Sequence, residues 1–399
     1  MNWDLKVFTQ HIESTALAQI TELLSQPAFS ECKVRIMPDV HAGTGCVIGF
    51  TANLGDKVIP NVVGVDIGCG MLTSELGNID IDFAKLDSVI LEYVPSGMNV
   101  HEEIKEVFPE LKKLICFPRL KNVDWLEKSL GTLGGGNHFI EVDADDEDNK
   151  YLVIHTGSRN LGKQVADYYQ KLAIEQINGS KEQLNEEVNK MIRHLKETGR
   201  EQEISGAIKA LRTNWLKVER MPNDLCYLSG LDRLSYLHDM AICQHFAQRN
   251  RAQIMTEICA RMRWVPVSSF ETVHNYIDLE TNIIRKGAIS AKDGERVLIP
   301  MNMRDGCIIG IGKGNEDWNC SAPHGAGRVM SRMEAKRSVS MADYEKSMDG
   351  IFTTSISEGT LDECPMAYKP MDEIVANIAP TVDIERVIKP IYNFKASES

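Results

Sequence analysis

The chain has 399 residues, 43% of them hydrophobic, and a formal net charge of −13. That length suits one large domain or roughly two to three ordinary ones, with enough apolar residues for a sizeable core. The acidic balance argues against a broad non-specific nucleic-acid surface, which is normally basic, and leaves room only for a local basic groove. The 10 cysteines form no CxxC pair, which fits buried cytosolic thiols better than a disulfide framework. The opening MNWDLKVF lacks the basic-then-apolar order of a secretory signal. No apolar run approaches the roughly 18–20 residues that cross a bilayer, so the expected location is cytoplasmic.

In chain order, residues 33–75 read as short strands and turns, because KVRIMPDVHAGTGCVIGF and VIPNVVGVDIGCGML mix β-branched residues with Gly, Pro and Asp. Residues 99–128 read as helical, with EEIKEVF and NVDWLEKSL as the segments. GTLGGGNHFIEV reads as a glycine loop entering a strand, and YLVIHTGS as a second strand ending in a loop. The acidic DADDEDN between them lacks the spacing of an EF-hand and reads as a solvated hairpin turn. From about 161 to 262 the pattern turns helical. KEQLNEEVNKMIRHLKETGREQEI is charged and amphipathic, as on a surface, while LSGLDRLSYLHDMAICQHFAQRNRAQIMTEICARM spaces its apolar residues as a core helix or helix pair. After 263 short strands and glycine turns return. Chemistry-bearing residues lie on both sides of the helical block, so the expected organisation is one domain over 1–399 with a helical insertion at about 161–262.

His11, His101, His194, His238 and His245 fall in helix-like stretches and read as surface or core histidines. His41, His138, His155, His274 and His324 stand at strand ends or beside glycine turns, where a rigid scaffold can make loop residues converge. Asp66 and Cys69 lie three apart among glycines in VGVDIGCGM. A carboxylate, a thiolate and several imidazoles suit a borderline transition ion better than calcium, and a thiolate can bridge two ions; ligand types alone leave zinc, manganese, iron and cobalt open. GTLGGGNH is neither a Walker loop nor a dinucleotide fingerprint, but the backbone N–H groups at Gly135, Gly136 and Asn137 can line an anion. In HGAGRVMSR, Arg328 and Arg332 share a face if a helix starts behind Gly325–Gly327, and Arg159 can join them as a local basic groove.

PDVHAGTGCVIG, VGVDIGCGM, GGGNHFIEV, HTGSRNLG and APHGAGRVMSR, spanning residues 38 to 332, resemble in order and spacing the motifs of the RtcB RNA ligase family. The resemblance implies an α+β fold with mixed β-sheets around a deep metal-containing cleft. It implies a GTP- and manganese-dependent ligase that joins RNA 3′-phosphate or 2′,3′-cyclic phosphate ends to 5′-hydroxyl ends. His324 takes the place of the histidine that becomes guanylylated, and neutral imidazole has the lone pair for it. Asp66, Cys69, His138, His155 and His274 take the places of the ligands of two Mn²⁺ ions, with Cys69 bridging. Asn137 matches a nucleotide-phosphate contact, and Glu141 a contact to the guanine edge. Tyr368 and Lys395 in the C-terminal stretch match nucleotide contacts. Arg159, Arg328 and Arg332 match RNA-phosphate anchors, while Asp39 and His41 stand behind the metals.

One departure stands out. Where the family carries a PGSMG-like nucleotide loop, this chain has IPMNMRDG, with Asn302, Arg304 and Asp305 in place of small residues, so Asn302 or the backbone is expected to take over that loop's nucleotide contacts. A divergent branch is therefore implied, and with it repair of broken ribosomal RNA beside tRNA splicing. The partners implied are RNA with broken ends and an archease-like activator or release-factor-like neighbour, with no membrane. A two-metal phosphoesterase or nuclease, or a non-catalytic RNA-binding protein, is the alternative reading.

Overall fold

The computed structural model of the chain describes residues 3–217 and 220–396. The first half alternates strands with short helices: β1 (Asp4–Val7), α1 (Ser14–Leu24), β2 (Lys33–His41), β3 (Ile48–Asn53), β4 (Lys57–Val58), α2 (Pro60–Val63), β5 (Gly70–Gly77), α3 (Phe83–Tyr93), α4 (Val123–Lys128), β6 (Phe139–Ala144) and β7 (Lys150–Thr156). Helices then dominate: α5 (Arg159–Asn178), α6 (Lys181–Glu197) and α7 (Ile204–Lys217), with the two-residue β8 (Leu228–Ser229) leading into α8 (Gly230–Met262). Strands return as β9 (Ser268–Val273), β10 (Asn275–Asp278), β11 (Ile283–Lys286), β12 (Ala288–Ser290), β13 (Arg296–Asn302), β14 (Gly306–Gly312) and β15 (Ser321–Pro323). The chain closes with α9 (Arg332–Ser338), α10 (Met341–Ser347), α11 (Met371–Ile378) and β16 (Val382–Lys395).

The strands pair into a five-stranded sheet ordered β1-β2-β3-β11-β10 and a seven-stranded sheet ordered β13-β14-β16-β6-β7-β5-β9, with small β12-β15 and β4-β8 pairs. In the seven-stranded sheet β6, β7, β5 and β9 are successive antiparallel neighbours. Antiparallel order places the starts of β5 and β6 beside the ends of β7 and β9. Cys69 and His138 immediately precede β5 and β6, His155 is one residue from the end of β7, and His274 immediately follows β9. Four residues spread over the sequence thereby meet at one edge of one sheet. Gly70 lets β5 and β9 approach there, since a Cβ on it would lie 2.5 Å from the Thr272 carbonyl oxygen.

Helix α8 is a single 33-residue helix rather than a pair. It locks the loops behind that edge. Arg251, 1% exposed, donates to the carbonyls of Gly68 at 2.8 Å and Thr156 at 2.7 Å, and pairs with Glu271 at 2.7 Å. Next to it, the Asn250 carbonyl accepts from the Gly131 and Thr132 N–H groups, and its amide donates to the Thr132 and Gly157 carbonyls. Buried polar groups survive only when satisfied, and these two side chains satisfy the turns that flank Cys69 and His155. One core packs α1, α5 and α8 against the five-stranded sheet; another packs α3 and α8 against the seven-stranded one. Helix α6 buries only Val188 and Leu195, so the expected exposed helix is found.

One helical expectation fails and one holds: EEIKEVF, residues 102–108, is irregular, while NVDWLEKSL forms α4 over Val123–Lys128. Pro109 disfavours helix in the residue before it, and the segment is fixed instead by Glu106 pairing with Arg249 and by buried Phe108. His101, just before this segment, and His11, in the stretch before α1, both lie outside helices; the His101 ring bonds the Gly131 carbonyl at 3.0 Å. The DADDEDN turn is a hairpin organised by Asp145, whose Oδ1 accepts from the N–H of Glu147 and of Asn149. No described helix is long and apolar enough to cross a membrane.

Candidate metal centre and nucleotide cavity

Two groups of ligand atoms lie at the sheet edge: Asp66, Cys69 and His138, and Cys69, His155 and His274, each with its atoms within 4.8 Å of one another. Cys69 belongs to both. Its Sγ is 3.5 Å from His138 Nε2 and 3.3 Å from His155 Nε2, and Asp66 Oδ2 is 3.1 Å from His138 Nε2. The backbone chooses which ring nitrogens are free. His138 Nδ1 lies 2.9 Å from the Leu133 carbonyl and His155 Nδ1 3.1 Å from the Asn137 carbonyl. Those Nδ1–H groups donate to carbonyls, which leaves both Nε2 lone pairs aimed at the thiol.

His274 is 3% exposed, yet its Nδ1 has no hydrogen-bond partner. A buried polar atom left bare is costly, and a metal ion would satisfy it. Burial and neighbouring histidines depress the pKa of His155 and His274 far below the ordinary histidine range, so both rings stay neutral and keep a lone pair. Burial and Asp66 push the Cys69 thiol up, a penalty that a bound cation would reverse. The donor set therefore fits one or two divalent ions of borderline softness.

His324 stands beside this cluster, its ring centroid 5.0 Å from that of His274. Buried Asp39 Oδ2 holds His324 Nδ1 at 2.6 Å and accepts from its backbone N–H at 3.2 Å. Gly327 makes that contact feasible: its φ is +77°, and a Cβ there would lie 2.4 Å from the Asp39 carbonyl oxygen. His41 turns Nδ1 to the Asp39 carbonyl at 2.9 Å, and burial lowers its pKa to about 4.

A cavity of about 510 Å³ opens in front of these groups, a size suited to a nucleotide-scale ligand. Asp66, Cys69, His155, His274 and His324 line one end, with His41 and Asn137. Glu141, Asn302, Tyr368 and Lys395 line it as well, together with Arg328 and Arg332. Asp39, His138 and Arg159 are not among its lining residues. Asp39 and His138 act from behind. Arg159 donates to Thr132 Oγ1 at 3.0 Å and to the Gly97 carbonyl at 2.8 Å, so two of its nitrogens brace the glycine loop.

The arginine pair differs from expectation. No helix starts behind Gly325–Gly327; α9 begins at Arg332, capped by Ser331, and Arg328 lies in an irregular stretch. Strain-free positive φ at Gly327 and the Arg328–Tyr368 bridge hold that stretch open. The two arginines converge on a carboxylate instead. Glu363 Oε1 is 3.3 Å from Arg328 and 3.4 Å from Arg332, while Oε2 is 2.9 Å from Lys395 Nζ and accepts the Tyr368 hydroxyl at 2.5 Å. Glu363 is the residue that sequence reasoning missed. Its signal was an acid in DECPMAY between expected nucleotide contacts, but nothing in the sequence says that it is 3% exposed.

Asn302 lines the cavity with its side chain already committed. Its amide donates to Asp305 Oδ2 at 2.8 Å, and its carbonyl accepts from the Arg304 and Asp305 N–H groups at 3.0 and 2.9 Å. This is an Asx-type turn closing the β13–β14 hairpin, so the hairpin offers a ligand its backbone more readily than that side chain.

The family model described as tRNA-splicing ligase RtcB matches residues 19–119 and 119–396. Among known proteins, the chain is 30% identical to RNA-splicing ligase RtcB1 of Escherichia coli, over 98% of this chain and 97% of that protein. It is 29% identical to RNA-splicing ligase RtcB of Escherichia coli K12 over the same shares, 98% and 97%. It is 27% identical to tRNA-splicing ligase RtcB of Nanoarchaeum equitans, over 85% of this chain and 83% of that protein.

Proposed function

The chain belongs to the RtcB family of RNA-splicing ligases, and from that premise we propose that it is a GTP- and manganese-dependent RNA ligase, sealing 3′-phosphate or 2′,3′-cyclic phosphate ends to 5′-hydroxyl ends. The observation that carries this reading is the Asp39–His324 pair beside two ligand groups that share Cys69. A phosphoesterase using the same metals has no need of a histidine whose tautomer is fixed in this way.

Asp66, Cys69 and His138 would hold one ion, and Cys69, His155 and His274 the other. When bound, the ions supply Lewis-acid stabilisation of charge on the phosphoryl oxygens and help activate a hydroxyl. Asp39 keeps the proton of His324 on Nδ1, so the Nε2 lone pair is the nucleophile. That nitrogen bonds to the α-phosphorus of GTP as pyrophosphate leaves. A cyclic end is first hydrolysed: a water oxygen bonds to the phosphorus, the P–O2′ bond breaks, and the 2′-oxygen leaves with a proton as a hydroxyl, giving a 3′-phosphate. An oxygen of the 3′-phosphate then takes GMP from His324, and the N–P bond breaks. Finally the 5′-hydroxyl oxygen attacks the activated 3′ phosphorus, its proton is removed, and GMP departs.

Asn137 and the glycine loop address the nucleotide phosphates. Glu141 accepts hydrogen bonds from the guanine edge, Tyr368 packs by the base, and Lys395, held by Glu363, contacts the nucleotide. Asn302 contributes through the hairpin backbone. Arg328 and Arg332 anchor RNA phosphates at the mouth, and Arg159 acts through the glycine loop. His41 supports Asp39. A few phosphate contacts suffice to recognise a broken end, which reconciles the function with a net charge of −13. The whole chain acts as one catalytic domain around a deep cleft, with α5–α8 as its helical insertion. Its substrates are broken tRNA or ribosomal RNA in the cytoplasm, and an archease-like activator or release-factor-like neighbour fits as a partner.

Incubation with manganese and α-labelled GTP tests the reading. Acid-labile label on wild-type protein and none on His324→Ala is the expected result. Absence of label on the wild type across several divalent metals would overturn it in favour of a phosphoesterase or an RNA-binding protein.

A further inference from the structure

Glu141 and Asp143 project from the same face of β6, two residues apart. Glu141 is 2% exposed and Asp143 0%. Their carboxyl groups and the thiol of Cys307 on β14 lie within 4.8 Å of one another. Two ionised carboxylates so close in so dry a place would repel without screening, so the pair retains a proton.

The surroundings decide where that proton sits. Glu141 Oε2 accepts from Asn393 Nδ2 at 2.6 Å, and the Lys395 ammonium adds its field. Asp143 has no such support. Neither of its oxygens has a donor among the described residues, although both are buried, and the Cys307 thiol turns to Glu141 Oε1 at 3.9 Å. As an anion Asp143 would be a bare buried charge. As an acid it is a donor, and Glu141, whose carboxyl group lies within 4.8 Å, is the acceptor beside it. Burial, then the neighbouring Glu141, pushes the Asp143 carboxyl far above the usual carboxylate range. The same three groups form a donor set for a cation, but the Asn393 amide and the Lys395 ammonium both face Glu141 and would repel one.

Resting on the nucleotide reading of the cavity, we propose that Asp143 is a protonated positioning residue whose carboxylic O–H holds Glu141 as an anionic acceptor turned to the guanine edge. Glu141 lines the cavity and Asp143 does not, so Asp143 acts through Glu141. The pair then sets base selectivity: a purine with N–H donors on that edge binds, and one presenting a bare ring nitrogen does not.

Two measurements on the full chain test this. Infrared difference spectroscopy at neutral pH, wild type against Asp143→Asn, reads the proton; a deuterium-sensitive carbonyl band of a buried carboxylic acid that vanishes in the variant is expected. Its absence from the wild type overturns the proposal. Calorimetry then compares GTP with ATP. Asp143→Asn keeps a neutral donor and leaves GTP affinity within about threefold, whereas Asp143→Leu weakens GTP about tenfold, the scale of one lost hydrogen bond, and changes ATP little. Equal losses for both nucleotides, or a large loss in Asp143→Asn, overturn the positioning role; if Asp143→Leu does not fold, Asp143→Asn and the infrared band decide. A metal ion retained by wild type and lost by Asp143→Asn also overturns it. Wild-type protein that shows the band but binds no GTP sinks the nucleotide reading while supporting the proton assignment.

Discussion

Asp39 and His324, separated by 285 residues in the chain, meet through a 2.6 Å contact between Oδ2 and Nδ1, and the same oxygen takes the His324 backbone N–H. One carboxylate thus fixes both the ring and the strand-end turn that carries it. Asp39→Asn offers an amide N–H where the carboxylate accepted, favouring the tautomer with its proton on Nε2. Guanylylation measured as acid-labile label should fall roughly 10⁴-fold, as when a catalytic histidine is trapped in the wrong tautomer. A loss below about threefold would mean that the pair is structural only.

Because Cys69 belongs to both ligand groups, its removal should cost more metal than removal of any histidine. By elemental analysis of protein loaded with manganese, Cys69→Ala is expected to lose both ions and His138→Ala one. Retention of one ion in Cys69→Ala would refute the bridging role.

Glu363 gives a pH dependence with a definite sign. Burial alone would raise its pKa, but Lys395, Arg332 and Arg328 overcome this and hold it at about 2, against an ordinary 4.5. A depressed folded pKa contributes stability that is complete above the unfolded value and is lost as pH falls toward the folded one. Chemical denaturation between pH 5 and pH 2 should show wild type losing about 3 kcal/mol that Glu363→Gln does not lose. Parallel curves would show that the four partners do not stabilise the anion.

The Asn302 turn predicts a separation of stability from specificity. Asn302→Ala removes three hydrogen bonds within the hairpin and should lower stability by about 1–2 kcal/mol. The ratio of GTP to ATP affinity should stay unchanged. A tenfold rise in the KM for GTP with an unaltered Tm would instead make Asn302 a direct nucleotide contact.

Arg328→Ala and Arg332→Ala should each weaken binding of single-stranded RNA ends and flatten the plot of log affinity against log salt by about 0.7. An unchanged slope in both variants would remove these arginines from the RNA path.

The sequence disclosed the site better than it disclosed local structure. His138 and His155 stood at glycine-flanked strand boundaries, and the antiparallel order of β6, β7 and β5 brings them together with Cys69. Periodicity found α6 and α8 because both are long. It misjudged residues 102–108, where a helix-like pattern ends at Pro109 after too few residues to nucleate. It left a helix behind Gly327 open, and contact of that glycine with Asp39 keeps the chain irregular there until α9 begins at Arg332. Glu363 was invisible for a different reason: its importance comes from four cationic or hydroxylic partners, Arg328 from the loop before α9, Arg332 from α9, Tyr368 from the loop before α11 and Lys395 from β16.

Strand β16, residues Val382–Lys395, lies inside the seven-stranded sheet between β14 and β6. A growing polypeptide halted before residue 382 has both metal-ligand groups and His324 but lacks the central strand against which β6 and β14 register. It also lacks Asn393 and Lys395. During synthesis, then, His324 emerges before Asn393 and Lys395, which complete the wall of the cavity that it lines.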